Sequence, residues 1–161
     1  MSQPKIHPSQ VGSTAIKQVV SSVIGPTTGT ATRAINNVTP LITDGVEIAT
    51  CTITLSSNQS RVLYTASANV DTNTNNRNII FMIFRDDVCI GASQLFCANA
   101  NTVESISRSR YDYPGVSGPV TYSIRVAADA ATTWYINDTV SGNTFGGLMN
   151  TSIILEEILP E

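Results

Sequence analysis

The stretch EIATCTITLSSNQSRVLYTASANV, residues 47–70, decides how the chain folds. In its first half Ala49, Cys51, Ile53 and Leu55 alternate with Thr50, Thr52 and Thr54. In its second half Val62, Tyr64, Ala66, Ala68 and Val70 alternate with mostly polar residues. Side chains on a strand point to opposite faces in turn, so each half reads as a strand with one face in a core and one in solvent. The polar SSNQS between them is a turn signal. Working outward, NIIFMIF (78–84) and SIILEEIL (152–159) are apolar on both faces apart from the glutamates, while VTYSIRVAA (120–128) and TTWYIND (132–138) alternate. Strands recurring every ~10–16 residues with turn residues between them predict an all-β, antiparallel sandwich of the jelly-roll kind. No strand–helix alternation suggests a parallel sheet.

Composition agrees. The chain has 161 residues, the size of one domain, with 42% hydrophobic residues to build a core. Only 13% are charged, about half the usual ~25%, so Ser, Thr and Asn must supply the polar surface, which suits strands and turns. Net charge is −3, and the two lysines, Lys5 and Lys17, stand apart from any basic run. No nucleic-acid footprint is expected. No apolar stretch approaches the ~20 residues of a membrane span, and the start MSQPKIHPSQ lacks the pattern of a secretory leader. Cys51, Cys89 and Cys97 show no metal-ligand spacing and read as small buried hydrophobes.

Ahead of the strands, residues 1–12 read as an extended leader. In STAIKQVVSSVIGP (13–26), Ile16, Val19 or Val20, Val23 and Ile24 fit a helical spacing between Ser13 as cap and Gly25-Pro26 as stop, although β-branched residues weaken that helix. The domain plan is therefore a leader and short helical or extended stalk over 1–40 and the β domain over 41–161, with a Thr-, Gly- and Pro-rich connector before residue 45 that holds one or two short edge strands. Strands apolar on both faces need a second cover, and the expectation is another copy of the same chain.

Chemistry is sparsely marked. Adjacent Glu156 and Glu157 diverge on a strand, so they are not a convergent acid/base pair; a pairing with Arg85 or Arg125 at a subunit junction is the alternative. DTNTN (71–75) opens like a calcium loop, but Asn76 and Met82 stand where that loop requires Gly and Glu, so a polar hairpin loop is expected and no metal. Sequons at Asn37, Asn58, Asn137 and Asn150 are silent without secretion. With one histidine, His7, and no nucleophile or phosphate-loop motif, neither an enzyme nor a cofactor is expected. Tyr111 and Tyr113 flank the entry to a Pro114-Gly115 turn and are candidates for contacts with a ligand.

The ordered motifs DGVEI (44–48), IFRDDVCIG (83–91), YDYPGVSGPVTYSIRV (111–126), WYIND (134–138), FGG (145–147) and LEEI (155–158) resemble the C-terminal tip domain of tailed-bacteriophage tail fibres and related virion fibres. The resemblance covers roughly residues 40–159. It implies a homotrimeric jelly roll similar to the tumour-necrosis-factor and complement-C1q heads, located in the virion as a tail fibre or capsid spike and binding a host cell-surface glycan or protein. The N-terminal segment would meet other virion proteins. Receptor contacts are expected in the loops, at Asn73, Asn75, Tyr111, Asp112 and Tyr113. The trimer interface is expected at Phe81, Ile83, Arg85, Arg125, Leu155 and Glu157, with Phe145-Gly146-Gly147 turning the chain into its closing strand. The other reading is a purely structural trimerisation cap, capsid decoration or head-fibre protein without a receptor.

Overall fold

The structure, a computed structural model, describes residues 16–142 and 144–159. Among the described residues ten strands form two antiparallel sheets: β1 (Ile16–Ile24), β2 (Thr27–Gly29), β3 (Val46–Leu55), β4 (Arg61–Thr72), β5 (Arg77–Arg85), β6 (Val88–Cys97), β7 (Glu104–Asp112), β8 (Gly118–Ala128), β9 (Trp134–Ile136) and β10 (Thr151–Ile158). One edge of β4 pairs with β7 over Val62–Val70. Its other edge pairs first with β10 and then with β9, which pair in turn with β1 and β2. The pairs β1/β2 and β9/β10 thus act as two interrupted strands. Counted so, eight strands are ordered 1-8-3-6 in one sheet and 2-7-4-5 in the other. That is the order of a jelly roll, in which successive strands alternate between the two sheets except at the hairpin of strands 4 and 5.

The core lies between the sheets and holds Tyr64, Phe81, Ile83, Tyr122, Ile124, Trp134, Ile153 and Leu155. The inward rows of β3 and β4 are those that alternation assigned, with only Cys51 left half-buried. The expected helix over 13–24 is corrected: residues 16–24 form β1, hydrogen-bonded in register to β10. Gln18, Val20, Ser22 and Ile24 point inward and are less exposed than Val19 and Val23. The β-branched run satisfies period 2 as well as period 3.6, and the free edge of β10 decides between them. Consequently residues 16–24, expected in a stalk, form a strand of the sandwich, and β2 (Thr27–Gly29) is a short edge strand of the kind expected in the connector. The leader over 1–12 lies outside the described residues.

The second face of β5 is also covered differently from expectation. Ile80, Met82 and Phe84 are buried with Ala127 in a small cluster that Ile42 and Cys89 close. The connector does this by crossing the outside of the second sheet. Arg33 N donates to Ala128 O and Ala128 N to Ala31 O, and Leu41 bridges to Val88. Asp44 fixes its end, accepting from Arg33 Nε (2.9 Å) and Leu41 N (2.9 Å); the Leu41 bond, aided by Arg33, holds its carboxyl below the usual range. At Gly45, with φ of 69°, a Cβ would stand 2.6 Å from Val126 O and 2.8 Å from the Met82 methyl. Only glycine lets the connector lie this close. No second chain is needed to bury this face.

Candidate functional site: a cleft at the mouth of the sandwich

β7 and β4 are paired so that Tyr64 stands opposite Arg110 and Val62 opposite Asp112. Paired residues share a face, so Arg110 and Asp112 point toward the interior side while Tyr111 points out. At this end β7 runs through Tyr113 into the Pro114-Gly115 turn. Gly115, at φ of 72°, takes the left-handed position a type II turn requires. The result is a cleft of about 390 Å³ lined by Tyr64, Arg85, Ile90, Arg110, Tyr111, Asp112 and Tyr113.

Asp112 organises the cleft. Arg85 Nη1 donates to both of its oxygens at 3.0 Å, and Tyr122 Oη donates to Oδ2 at 2.8 Å. Arg85 Nη1 also reaches Tyr113 O at 3.4 Å. Burial, then the Asp112 hydrogen bond and charge, push the Tyr122 hydroxyl far above its ordinary range, so it remains a donor. Arg61 lies over the Tyr111 ring at 5.1 Å, a cation–π contact that fixes the ring on the outer face of the sheet. Tyr111 is 45% exposed and Tyr113 66%. The arrangement offers the exposed ring of Tyr113, one neutralised guanidinium–carboxylate pair and the further guanidinium of Arg110, with the Tyr111 ring on the outer face of the same strand.

The structure brings three of the expected contact residues, Tyr111, Asp112 and Tyr113, into this cleft and separates the other two from it. Asn73 and Asn75 follow the far end of β4, roughly 30 Å away at the ~3.3 Å rise of a strand. There Asn73 Oδ1 accepts from Thr132 Oγ1 and Thr133 N, and Asn75 Oδ1 accepts from Ala100 N; both tie loops together. Sequence reasoning did not single out Arg110, Ile90 or Tyr64 for the cleft. Arg110 was within reach, being two residues before Asp112 and so on the same face.

The residues expected at a trimer interface are satisfied within one chain. Phe81, Ile83 and Leu155 lie in the sandwich core. Arg85 is held by Asp112, and Arg125 donates to Asp44 O and Gly45 O and lies 3.6 Å from Glu47. Glu157 is buried and pairs with no arginine. Its Oε1 accepts from Ser56 N, Ser56 Oγ and Ser60 Oγ, each at 2.7 Å, and its Oε2 from Gln18 Nε2 at 2.6 Å. Glu156 points the other way, half-buried on the outer face. Phe145 and Gly146 take left-handed conformations in a short 3-10 turn, Thr144–Gly147, as expected of the FGG turn before β10.

A second cleft, about 260 Å³, lies between the connector and β5–β6 and is lined mainly by Ile35, Val38, Pro40, Ile80 and Ala92. Among the described residues no group of three or more His, Cys, Asp or Glu side chains is placed to hold a metal ion.

No family model matches the sequence, and no curated protein matches it. Among solved structures the chain is similar to the infectious bursal disease virus VP2 subviral particle, at 8% identity and TM-score 0.41, over 99% of this chain and 42% of that one. It is similar to the virus's T13 particle at 10% identity and TM-score 0.44, over 99% of this chain and 40% of that one. A third likeness is to the C-terminal domain of the sugar-binding protein EclA, at 13% identity and TM-score 0.37, over 83% of this chain and 86% of that one. The chain spans about two fifths of the viral chains it matches. These are distant likenesses of fold.

Proposed function

We propose that the chain is a non-enzymatic virion protein, a fibre or spike head, whose jelly roll binds a host cell-surface saccharide in the cleft at Tyr111–Tyr113. The observation that carries the reading is the chemistry of that cleft. Tyrosine rings present flat apolar faces to the C–H faces of a sugar while their hydroxyls stay wet. Arg85 and Asp112 hold each other, and Arg85 reaches the Tyr113 backbone carbonyl, so little freedom of this charged pair remains to be lost on binding. A concave site with a few fixed polar groups between aromatic walls is the general form of a small-ligand site. The motif order shared with phage fibre tips supports the same reading and suggests a homotrimer of the tumour-necrosis-factor or C1q kind, attached to the virion through the N-terminal segment.

The test is binding of labelled protein to a broad glycan array, compared with the Tyr113→Ala variant. Saccharide binding that the variant loses supports the proposal. Binding by neither protein, or equal binding by both, contradicts it.

A purely structural role, as a trimerisation cap or capsid decoration, is favoured by a different observation. The edge strand β1 exposes Ile16 (55%), Val19 (55%) and Val23 (60%), an apolar row suited to assembly. Native mass of Val19→Lys/Val23→Lys against wild type separates the roles. Three chains in the wild type, one in the variant, and no competition with virus adsorption by either protein would favour the structural role.

A further inference from the structure

The cleft contains more donors than its own acceptors can satisfy. Among the described residues Asp112 is the only carboxylate lining it, and Arg85 and Tyr122 occupy that carboxylate. Arg110 makes no ion pair or side-chain hydrogen bond to another described residue, although it lines the cleft. Beneath it Tyr64 is 0% exposed, and its hydroxyl has no hydrogen-bond partner. Arg108 Nε, one row further in, is likewise buried and unpaired. Both atoms converge on Gly91, where an added Cβ would meet Tyr64 Oη and Arg108 Nε at 3.1 Å each. Buried polar groups in native proteins are nearly always paired. Leaving a hydroxyl and a guanidinium nitrogen unpaired beside an open cleft costs stability that a phenylalanine at position 64 would avoid.

We propose that the cleft selects acidic saccharides, with a carboxylate of the sugar seated on Arg110 and accepting from the Tyr64 hydroxyl at the cleft floor. This deepens the saccharide reading and rests on it. A planar guanidinium matches a carboxylate in two parallel hydrogen bonds, and Arg110, opposite Tyr64 on the neighbouring strand, is free to make them. The Tyr113 ring would stack on the pyranose ring, and Arg85–Asp112 would stay paired with each other. Position 91 tolerates no side chain beside these donors, since even a Cβ there would crowd both at 3.1 Å.

The experiment uses the whole chain on an array of uronate- and sialate-bearing oligosaccharides, each printed beside its carboxyl-reduced form, with sulfated neutral oligosaccharides alongside. The expected result is binding to acidic forms that weakens at least about ten-fold on carboxyl reduction. Arg110→Gln should abolish that preference. Tyr64→Phe should weaken binding of the acidic forms while its melting temperature stays equal to the wild type or rises, because the variant deletes an unpaired group. Equal binding to native and reduced forms, or preference for sulfated features alone, overturns acidic selection and leaves the saccharide reading standing. A marked fall in the melting temperature of Tyr64→Phe overturns the role given to its hydroxyl. No binding to any feature overturns the saccharide reading, and this inference with it.

Discussion

Replacing Glu157 with glutamine removes one charge from inside the sandwich and almost no volume. The carboxylate takes three donors on Oε1 and one on Oε2. Glutamine can keep the three on its carbonyl, but its amide nitrogen then faces the amide nitrogen of Gln18. Gln18 can turn its own oxygen inward only by giving up its bond to Thr54 O. One charge-assisted bond is lost and the others lose their charge. At ~1.5–3 kcal/mol for a hydrogen bond to a charged group, the cost is about 2–3 kcal/mol. In a domain of this size that lowers the melting temperature by about 5–10 °C. The effect has a pH signature. Burial alone would raise the Glu157 pKa, but the bonds from Ser60, Gln18 and Ser56 outweigh it and hold the group down to about 2, from an ordinary 4.5. A depressed folded-state pKa contributes stability that is present above pH 4.5 and lost as pH falls toward 2. The shift corresponds to at most about 3 kcal/mol, and solvent at the sandwich end reduces it. Thermal melts followed by circular dichroism should show the wild type well above Glu157→Gln at pH 7, with the two converging between pH 4.5 and 2. Equal melting temperatures at pH 7, or a gap that persists unchanged to pH 2.5, would refute the network as described.

Other perturbations follow from the same packing. Asn137 sits buried at φ of 58° and donates to Ile24 O, Gly25 O and Thr151 Oγ1 where both interrupted strands break; Asn137→Ala should cost about 2–4 kcal/mol in chemical denaturation. At Gly29 an added Cβ would lie 2.1 Å from the Trp134 ring, so Gly29→Ala should destabilise by about 1–3 kcal/mol and red-shift the fluorescence of the single tryptophan. Ile42→Asp should uncover Ile80, Met82 and Phe84 and produce concentration-dependent association on gel filtration, without which the intrachain cover is wrong. Cys97, buried and with its thiol pushed up to about 11 by burial first, should be the last of the three cysteines to react with a maleimide at pH 7.

Much of the sandwich was legible because its central strands keep strict alternation: β4 needs no context to reveal its inward row of Val62, Tyr64, Ala66, Ala68 and Val70. β1 was not legible, since Val19, Val20, Val23 and Ile24 fit both periods and only pairing to β10 distinguishes them. The cover over β5 was hidden for another reason. It comes from a connector whose anchor over that face, the half-buried Ile42, is isolated among turn residues, so no periodicity marks it. Tyr111, Asp112 and Tyr113 stood out beside their turn, whereas Tyr64 reads as a core residue and shows its second role only when its hydroxyl is found unpaired. For Glu157 the divergence from Glu156 was readable, but its partners, Gln18, Ser56 and Ser60, lie 97 to 139 residues away in the chain.

The central claim is that a ligand is held at the mouth of the sandwich between Tyr113 and Arg110. Titrating isotope-labelled protein with an acidic oligosaccharide selected on the array, and following backbone amide shifts, tests it directly. The account predicts perturbations grouped at Arg85, Ile90 and Arg110–Tyr113, with the loop at Asn73 and Asn75 unmoved. Perturbations grouped at that loop or in the connector cleft at Ile35 and Val38 would contradict it.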